Sequence, residues 1–168
     1  GTTDLISKFI FPFMRSAGTC LSPFNAWVFL KGLETLDVRM ERHSSSAMQV
    51  ATWLSECAIA EKVYYPGLTS HPQFNIATSQ QSGFGGIVSF EVVDKITAWR
   101  FIDALSLFTI TANFGDTKSI VTHPASTTHG RLIQEDRDKM GITDGLVRLS
   151  IGLESVDDLI NDIQQAIE

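Results

Sequence analysis

Basic side chains are in short supply: 13 Lys and Arg stand against 19 Asp and Glu, a formal net charge of −6 over 168 residues. Binding a nucleic-acid backbone draws on a basic surface that releases counterions. With no basic run and no interleaved aromatic platform, this balance excludes nucleic acid as a partner. Cysteine is as scarce. Cys20 and Cys57 form no CxxC or Cys/His ligand pattern, so they are expected to be free thiols in a reducing cytoplasm. Long hydrophobic runs are missing too: the most apolar early stretch, Phe9 to Met14, is far shorter than the ~20 residues that span a bilayer. It lacks a small-residue cleavage site, and no membrane association is expected. The four histidines, His43, His71, His123 and His129, show neither HxxxH nor HExxH spacing, so no metal site is expected. No Ser/His/Asp order marks a hydrolase, and no repeat or low-complexity segment is present.

What is present suits an ordinary globular domain, with 43% hydrophobic and 19% charged residues and the length of one domain. Ser22-Pro23 is a helix start, Ser as N-cap and Pro at the first helical position. From there Trp27, Leu30, Leu33, Leu36, Met40, Ala47, Val50 and Leu54 recur at three- and four-residue steps. The spacing predicts one long amphipathic helix over residues 22–57, roughly 50 Å at 1.5 Å per residue, suited to crossing between domains. His43 falls on its core-facing side. Strands are predicted over 86–93, 108–114, 119–123 and 145–152, with helices over 95–105, 133–140 and from Ser155 to the C-terminus. Residues 63–168 thus read as an α+β unit, and the whole chain as a single domain over 1–168.

One arginine stands out. Strand alternation puts Val147, Leu149 and Ile151 on one face and Leu146, Arg148 and Ser150 on the other. Arg148 is either a structural ion pair or edge-strand arginine, or a guanidinium aimed at a ligand carboxylate, a task arginine does better than lysine because its planar fork matches that group. Lys118, in the turn Gly115-Asp116-Thr117-Lys118-Ser119, has no adjacent phosphate cradle and reads as solvated. The Gly-rich stretch Ser82–Gly86 precedes a strand rather than opening a helix, so it lacks the helix N-terminus that binds phosphate and reads as a turn.

Three segments carry a resemblance: LSPFNAWVFLKGLETLDVRMERHSSSA (Leu21–Ala47), FTITANFGDTKSIVTHPASTTHG (Phe108–Gly130) and GITDGLVRLSIGLESVDDLINDI (Gly141–Ile163). In order, and over nearly the whole chain, they resemble the Cys/Met-metabolism pyridoxal-phosphate enzymes. That family includes cystathionine γ-synthase, cystathionine γ-lyase, methionine γ-lyase and the homoserine-ester sulfhydrylases. The resemblance implies fold type I, with this chain as the small C-terminal domain: a mixed or antiparallel sheet, helices on one side and a long N-terminal connecting helix. It implies that the large pyridoxal-phosphate domain lies upstream, with its Schiff-base lysine in a Ser-x-Thr-Lys context, and that the full-length enzyme is a homotetramer. It assigns no catalytic and no cofactor-binding residue to this chain. It implies that Arg148 binds the substrate α-carboxylate, that Ser119 contacts the catalytic lysine and helps position the substrate, and that Thr128 lies near the carboxylate. Asn113 and Phe114 stand where many relatives have Ser-Leu.

Leu21–Trp27 and Ile110–Asn113 look most like O-succinylhomoserine sulfhydrylases. The implied role is in transsulfuration and methionine biosynthesis: γ-replacement on an amino-acid substrate, succinate (or acetate) leaving and sulfide adding to give homocysteine. Cystathionine γ-synthase, cystathionine γ-lyase and methionine γ-lyase are the near alternatives. A stand-alone, non-catalytic module that keeps only the carboxylate pocket is the alternative of another class. The 168-residue chain alone is expected to be inactive and to form no covalent adduct with pyridoxal phosphate. Incubation with the cofactor, borohydride reduction and intact-mass measurement check this; a stoichiometric adduct at one lysine is the contrary result.

Overall fold

The computed structural model describes residues 1–167 and divides into two units, Gly1–Asp37 and Val38–Glu168. In the first unit, α1 (Thr3–Leu5), a π-helical turn (Ile6–Ile10) and α2 (Phe11–Ala17) run on continuously. Gly18 ends them with φ +67, the left-handed conformation that glycine adopts at no steric cost. α3 (Pro23–Glu34) begins as expected, Ser22 Oγ accepting from the Asn25 amide at 3.2 Å with Pro23 in the first turn. None of these helices buries a residue: Phe9, Phe13, Phe24, Phe29 and Leu30 are each more than 60% exposed.

The helix expected over 22–57 is two helices. Thr35 leaves the helical region at φ −113, ψ 9, and α4 runs from Leu36 to Ser55. A β-branched residue three positions after Gly32 is a weak point in propensity, and repeated side-chain spacing does not register it. The apolar stripe divides with the helix. Ala47, Val50 and Leu54 are fully buried, whereas Trp27, Leu30, Leu33, Leu36 and Met40 are exposed.

In the second unit, α4 is followed by β1 (Lys62–Tyr64), α5 (Phe74–Gln80), β2 (Ile87–Glu91), α6 (Lys95–Ala104), β3 (Thr109–Ile110) and β4 (Ile120–Thr122). A 3₁₀ turn (Pro124–Ser126), α7 (Gln134–Lys139), β5 (Leu146–Ser150) and α8 (Val156–Ile167) complete it. The strands form one mixed sheet of order β1-β2-β5-β4-β3, antiparallel except for the parallel β3–β4 pair. β3 is far shorter than the strand expected over 108–114. Beyond Thr111, whose amide still reaches the Val121 carbonyl, the backbone leaves the ladder.

The expected α+β fold with helices on one side of a mixed sheet is what this unit builds. On the helix-covered face Val88, Phe90, Val121, Val147 and Leu149 are buried against Ala47, Val50 and Leu54 of α4, Phe101 and Ile102 of α6, and Leu159 and Ile163 of α8. Each fully buried Leu, Ile, Val or Phe contributes roughly 1.5–3 kcal/mol. Phe90 and Phe101 meet edge to face, centroids 5.3 Å apart. His43 donates from Nδ1 to the Ile151 carbonyl at 2.6 Å and is buried, as its helical position suggested. Ile96 and Trp99, also apolar residues of α6, are exposed.

Exposed apolar surface on the scale of α1–α3 marks a place that another molecule covers. The 168-residue chain is therefore expected to self-associate in solution. The triple change Phe24→Ser, Phe29→Ser, Leu33→Ser should shift it toward the monomer by light scattering, with the thermal melt unchanged because these side chains pack into no core. A monomeric parent chain is the contrary result.

Candidate carboxylate site

The opposite face of the sheet carries the polar side chains. β5 is central, paired on both edges, and its register sets Arg148 directly between Ser89 of β2 and Thr122 of β4. Tyr64 lies opposite Ser89 in turn. The result is a polar row, Tyr64–Ser89–Arg148–Thr122, across the middle of the sheet. Alternation along β5, read from the sequence, is confirmed: Val147 and Leu149 are fully buried under the helices, and Arg148 is half-buried on the other side.

Arg148 makes no structural ion pair. Among the described residues no carboxylate lies within ion-pair distance of its guanidinium. Its partners are neutral, and all of them engage one nitrogen: Nη2 donates to the carbonyls of Ala112 at 3.2 Å and Asn113 at 3.1 Å, and to Thr122 Oγ1 at 3.4 Å. The Phe114 ring lies 5.3 Å from the guanidinium carbon, within cation–π range. Burial draws the Arg148 pKa below its ordinary value, yet a guanidinium stays cationic at neutral pH. Nη1 and Nε have no protein acceptor among the described residues. This is a partly desolvated cation, held by one nitrogen, with the rest of its donors open to an external anion.

The segment that grips Arg148 is itself pinned. Gly115, at φ +84, turns the chain, and its amide donates to Ser150 Oγ at 3.0 Å. Thr122 is buried and uses its hydroxyl twice, donating to the Thr111 carbonyl and accepting from Arg148. Thr122 and the Ala112 and Asn113 carbonyls do not emerge from the sequence. The available signal was the strand parity that also found Arg148, which puts Thr122 and Ser150 on its face once the register is known.

The other two residues expected at the site bond to groups other than Arg148. Ser119 is fully buried, and its hydroxyl donates to Glu154 Oε2 at 2.9 Å while accepting from the Gly152 amide at 2.8 Å. It lies three residues before Thr122, about 10 Å along a strand, and makes no hydrogen bond to the Arg148 site. Thr128 is exposed in the turns after the 3₁₀ segment and pairs with His129 Nδ1 at 2.8 Å. A cavity of about 720 Å³ is lined by Met48, Tyr64, Leu68 and His71 among others, and by none of the three expected residues.

His123, also buried, is fully occupied: Nε2 donates to the Asp144 carbonyl at 2.8 Å, so Nδ1 accepts from Ser126 Oγ and the Trp99 indole. Lys118 is exposed in its turn, as read from the sequence. Its amide, with the Thr117 hydroxyl, holds the Asp116 carboxyl below the usual carboxylate range.

Residues 2–168 match the Cys/Met metabolism PLP-dependent enzyme family. The chain belongs to this family. It is 54% identical over 161 residues to O-succinylhomoserine sulfhydrylase of Pseudomonas aeruginosa, covering 95% of this chain and 40% of that protein. It is 45% identical over 158 residues to O-acetyl-L-homoserine sulfhydrylase of Leptospira meyeri, covering 92% and 36% respectively. Cystathionine beta-lyase of Lactococcus lactis subsp. cremoris is 43% identical over 154 residues, with 92% and 40% covered. A crystal structure of a putative O-acetylhomoserine (thiol)-lyase from Campylobacter jejuni, containing N'-pyridoxyl-lysine-5'-monophosphate, superposes with a TM-score of 0.88 at 44% identity. The superposition covers 98% of this chain and 38% of that one. The chain thus spans about 40% of the length of the curated relatives it matches.

The family's cofactor needs a lysine in a polar pocket and a cradle of donors for its phosphate. No lysine of the described residues is buried, and the Gly-rich stretch Ser82–Gly86 leads into β2, its Gly85 tied to Ser44 and Tyr65 by hydrogen bonds. These residues do not assemble a cofactor site, and no chemical step through the cofactor is assigned to them.

Replacing Thr122 by valine keeps the shape but leaves the Thr111 carbonyl unpaired and removes an acceptor from Arg148. A loss of roughly 1–3 kcal/mol in unfolding free energy is expected by chemical denaturation. An unchanged midpoint would show that the hydroxyl carries no structural weight.

Proposed function

We propose that this chain is the C-terminal, substrate-carboxylate-holding part of a pyridoxal-phosphate-dependent sulfhydrylase acting on O-succinylhomoserine or O-acetylhomoserine, with homocysteine as product by γ-replacement. The observation that carries the reading is Arg148: a half-buried cation that, among the described residues, has no carboxylate partner and no acceptor for Nη1 and Nε. An arginine kept for structure alone is expected to have a carboxylate partner, because a desolvated charge without one is costly. The α-carboxylate of an amino acid supplies the missing partner, with charge-assisted hydrogen bonds to a guanidinium already fixed by Nη2. The Phe114 ring on the guanidinium limits its hydration and so strengthens that pairing.

The choice of a homoserine ester over other sulfur amino acids rests on the sulfhydrylase relatives, one of them 54% identical. A cystathionine beta-lyase at 43% identity makes the lyases the alternative members. In the same reading the large cofactor-holding domain lies upstream. The exposed apolar helices α1–α3 and the 40% coverage of relatives support that placement.

The test uses the full-length enzyme. Homocysteine formation from O-succinyl-L-homoserine and sulfide is expected to exceed turnover of cystathionine; the reverse ranking assigns it to the lyases. In the same enzyme Arg148→Lys keeps the charge and loses the planar fork, which should cost about 1.5–3 kcal/mol of charge-assisted pairing. Each ~1.4 kcal/mol is tenfold, so kcat/KM should fall about one to two orders of magnitude, with little movement of the thermal midpoint. A large drop in the midpoint with kcat/KM per folded molecule unchanged would make Arg148 a structural residue.

A further inference from the structure

Glu154 carries a carboxylate that ends inside the protein without a cation. Among the described residues no Lys, Arg or His side chain is in ion-pair contact with it. Both of its oxygens are instead spent on one residue: Oε1 accepts from the Ser119 amide at 2.7 Å and Oε2 from the Ser119 hydroxyl at 2.9 Å. Hydrogen bonds to an ionised acceptor are about twice as strong as neutral ones, so this two-point grip is the firmest local tether on Ser119. The grip is closed by its surroundings. The Gly152 amide donates to Ser119 Oγ at 2.8 Å, and the Leu153 amide to the Thr117 carbonyl at 2.8 Å. A β-carbon at Gly152 would fall within 3.0 Å of the Glu154 carboxylate, the Ser119 nitrogen and the Thr117 carbonyl, so the notch exists only because that residue is glycine. From the other side, Arg42 Nη2 of α4 donates to the Glu154 carbonyl at 3.2 Å.

What the grip holds is the far end of the segment whose near end holds Arg148. Between Ser119 and the Ala112 and Asn113 carbonyls lie only Phe114 to Lys118, which are exposed. Their other ties to the sheet are the 3.0 Å bond from Gly115 to Ser150 Oγ and the Leu153–Thr117 bond. We infer that Glu154 is a positioning residue for substrate binding: by clamping Ser119 it fixes the 112–118 segment, and through that segment the orientation of the Arg148 guanidinium toward the ligand carboxylate. The inference rests on the carboxylate role of Arg148 and gives Ser119 a part in it that needs no contact with the ligand.

The experiment compares two unreactive inhibitors of the full-length holoenzyme, L-norleucine and L-norleucinamide, which differ only in the carboxylate. Their ratio of inhibition constants reports how well Arg148 is aimed, and loss of fold or of active fraction does not move it. Glu154→Gln, isosteric but uncharged, is expected to lower the preference for norleucine about tenfold, the scale of a small misplacement, while norleucinamide binds as before. Ser119→Ala, which keeps the amide and so one of the two bonds, should lower it about threefold, by the same misplacement on a smaller scale, and serves if the Glu154 variant does not fold. In an Arg148→Lys background, Glu154→Gln should change the ratio no further, because the group it positions is gone. A ratio that holds in both Glu154→Gln and Ser119→Ala, or an effect of Glu154→Gln that persists undiminished beside Arg148→Lys, overturns the positioning role. If Arg148→Lys itself leaves the ratio unchanged, the carboxylate reading has failed, and this inference falls with it.

Discussion

The central strand β5 constrains everything around it. Because it is paired on both edges, neither of its faces can turn away, and every side chain on it is committed to one side of the sheet. On one side Val147 and Leu149 form the floor of the core under α4, α6 and α8. On the other, Arg148 is held in place by the same backbone that the core makes rigid. A guanidinium on a loop would need its own supports. Here the apolar packing beneath fixes the Cα, and only the tip of the side chain remains to be oriented.

That orientation comes from neutral groups, and the chemistry of the site follows from this. A carboxylate beside Arg148 would satisfy the charge and shut out a ligand. Carbonyl oxygens from Ala112 and Asn113 fix one nitrogen while leaving the net positive charge unspent. The segment that supplies them buries little of its own, so it depends on attachments: Ser150 to Gly115, Thr117 to Leu153 and Glu154 to Ser119. Elsewhere the unit uses the same device of an uncompensated carboxylate binding backbone amides. Asp162, buried on α8, accepts from the Ser106 and Leu107 amides at 2.9 Å and ties the end of α6 to the C-terminal helix.

The first unit poses the opposite physical situation. Its helices form by local rules, a Ser22 cap, Pro23 in the first turn and a left-handed Gly18, yet bury none of their apolar side chains. Helix propensity and capping act within a few residues, whereas burial needs a second surface. The chain spans about 40% of the length of the relatives it matches.

The division between sequence and tertiary structure follows from the range of each interaction. Period-two alternation by itself determined that Arg148 faces away from Val147 and Leu149, and the Ser22-Pro23 pair determined where α3 begins, because both depend only on neighbouring residues. The motif order determined the family. Only the tertiary structure decided that Arg148 lies between Ser89 and Thr122, that it has no carboxylate partner among the described residues, and that Ser119 turns to Glu154. It also decided that half of the long apolar stripe stays uncovered and that the helix breaks at Thr35. Glu154 and Ser119 are 35 residues apart in sequence, and Arg148 and Asn113 likewise. Pairings at that distance leave no periodic trace, since they arise from strand order and register rather than from the spacing of side chains along one element.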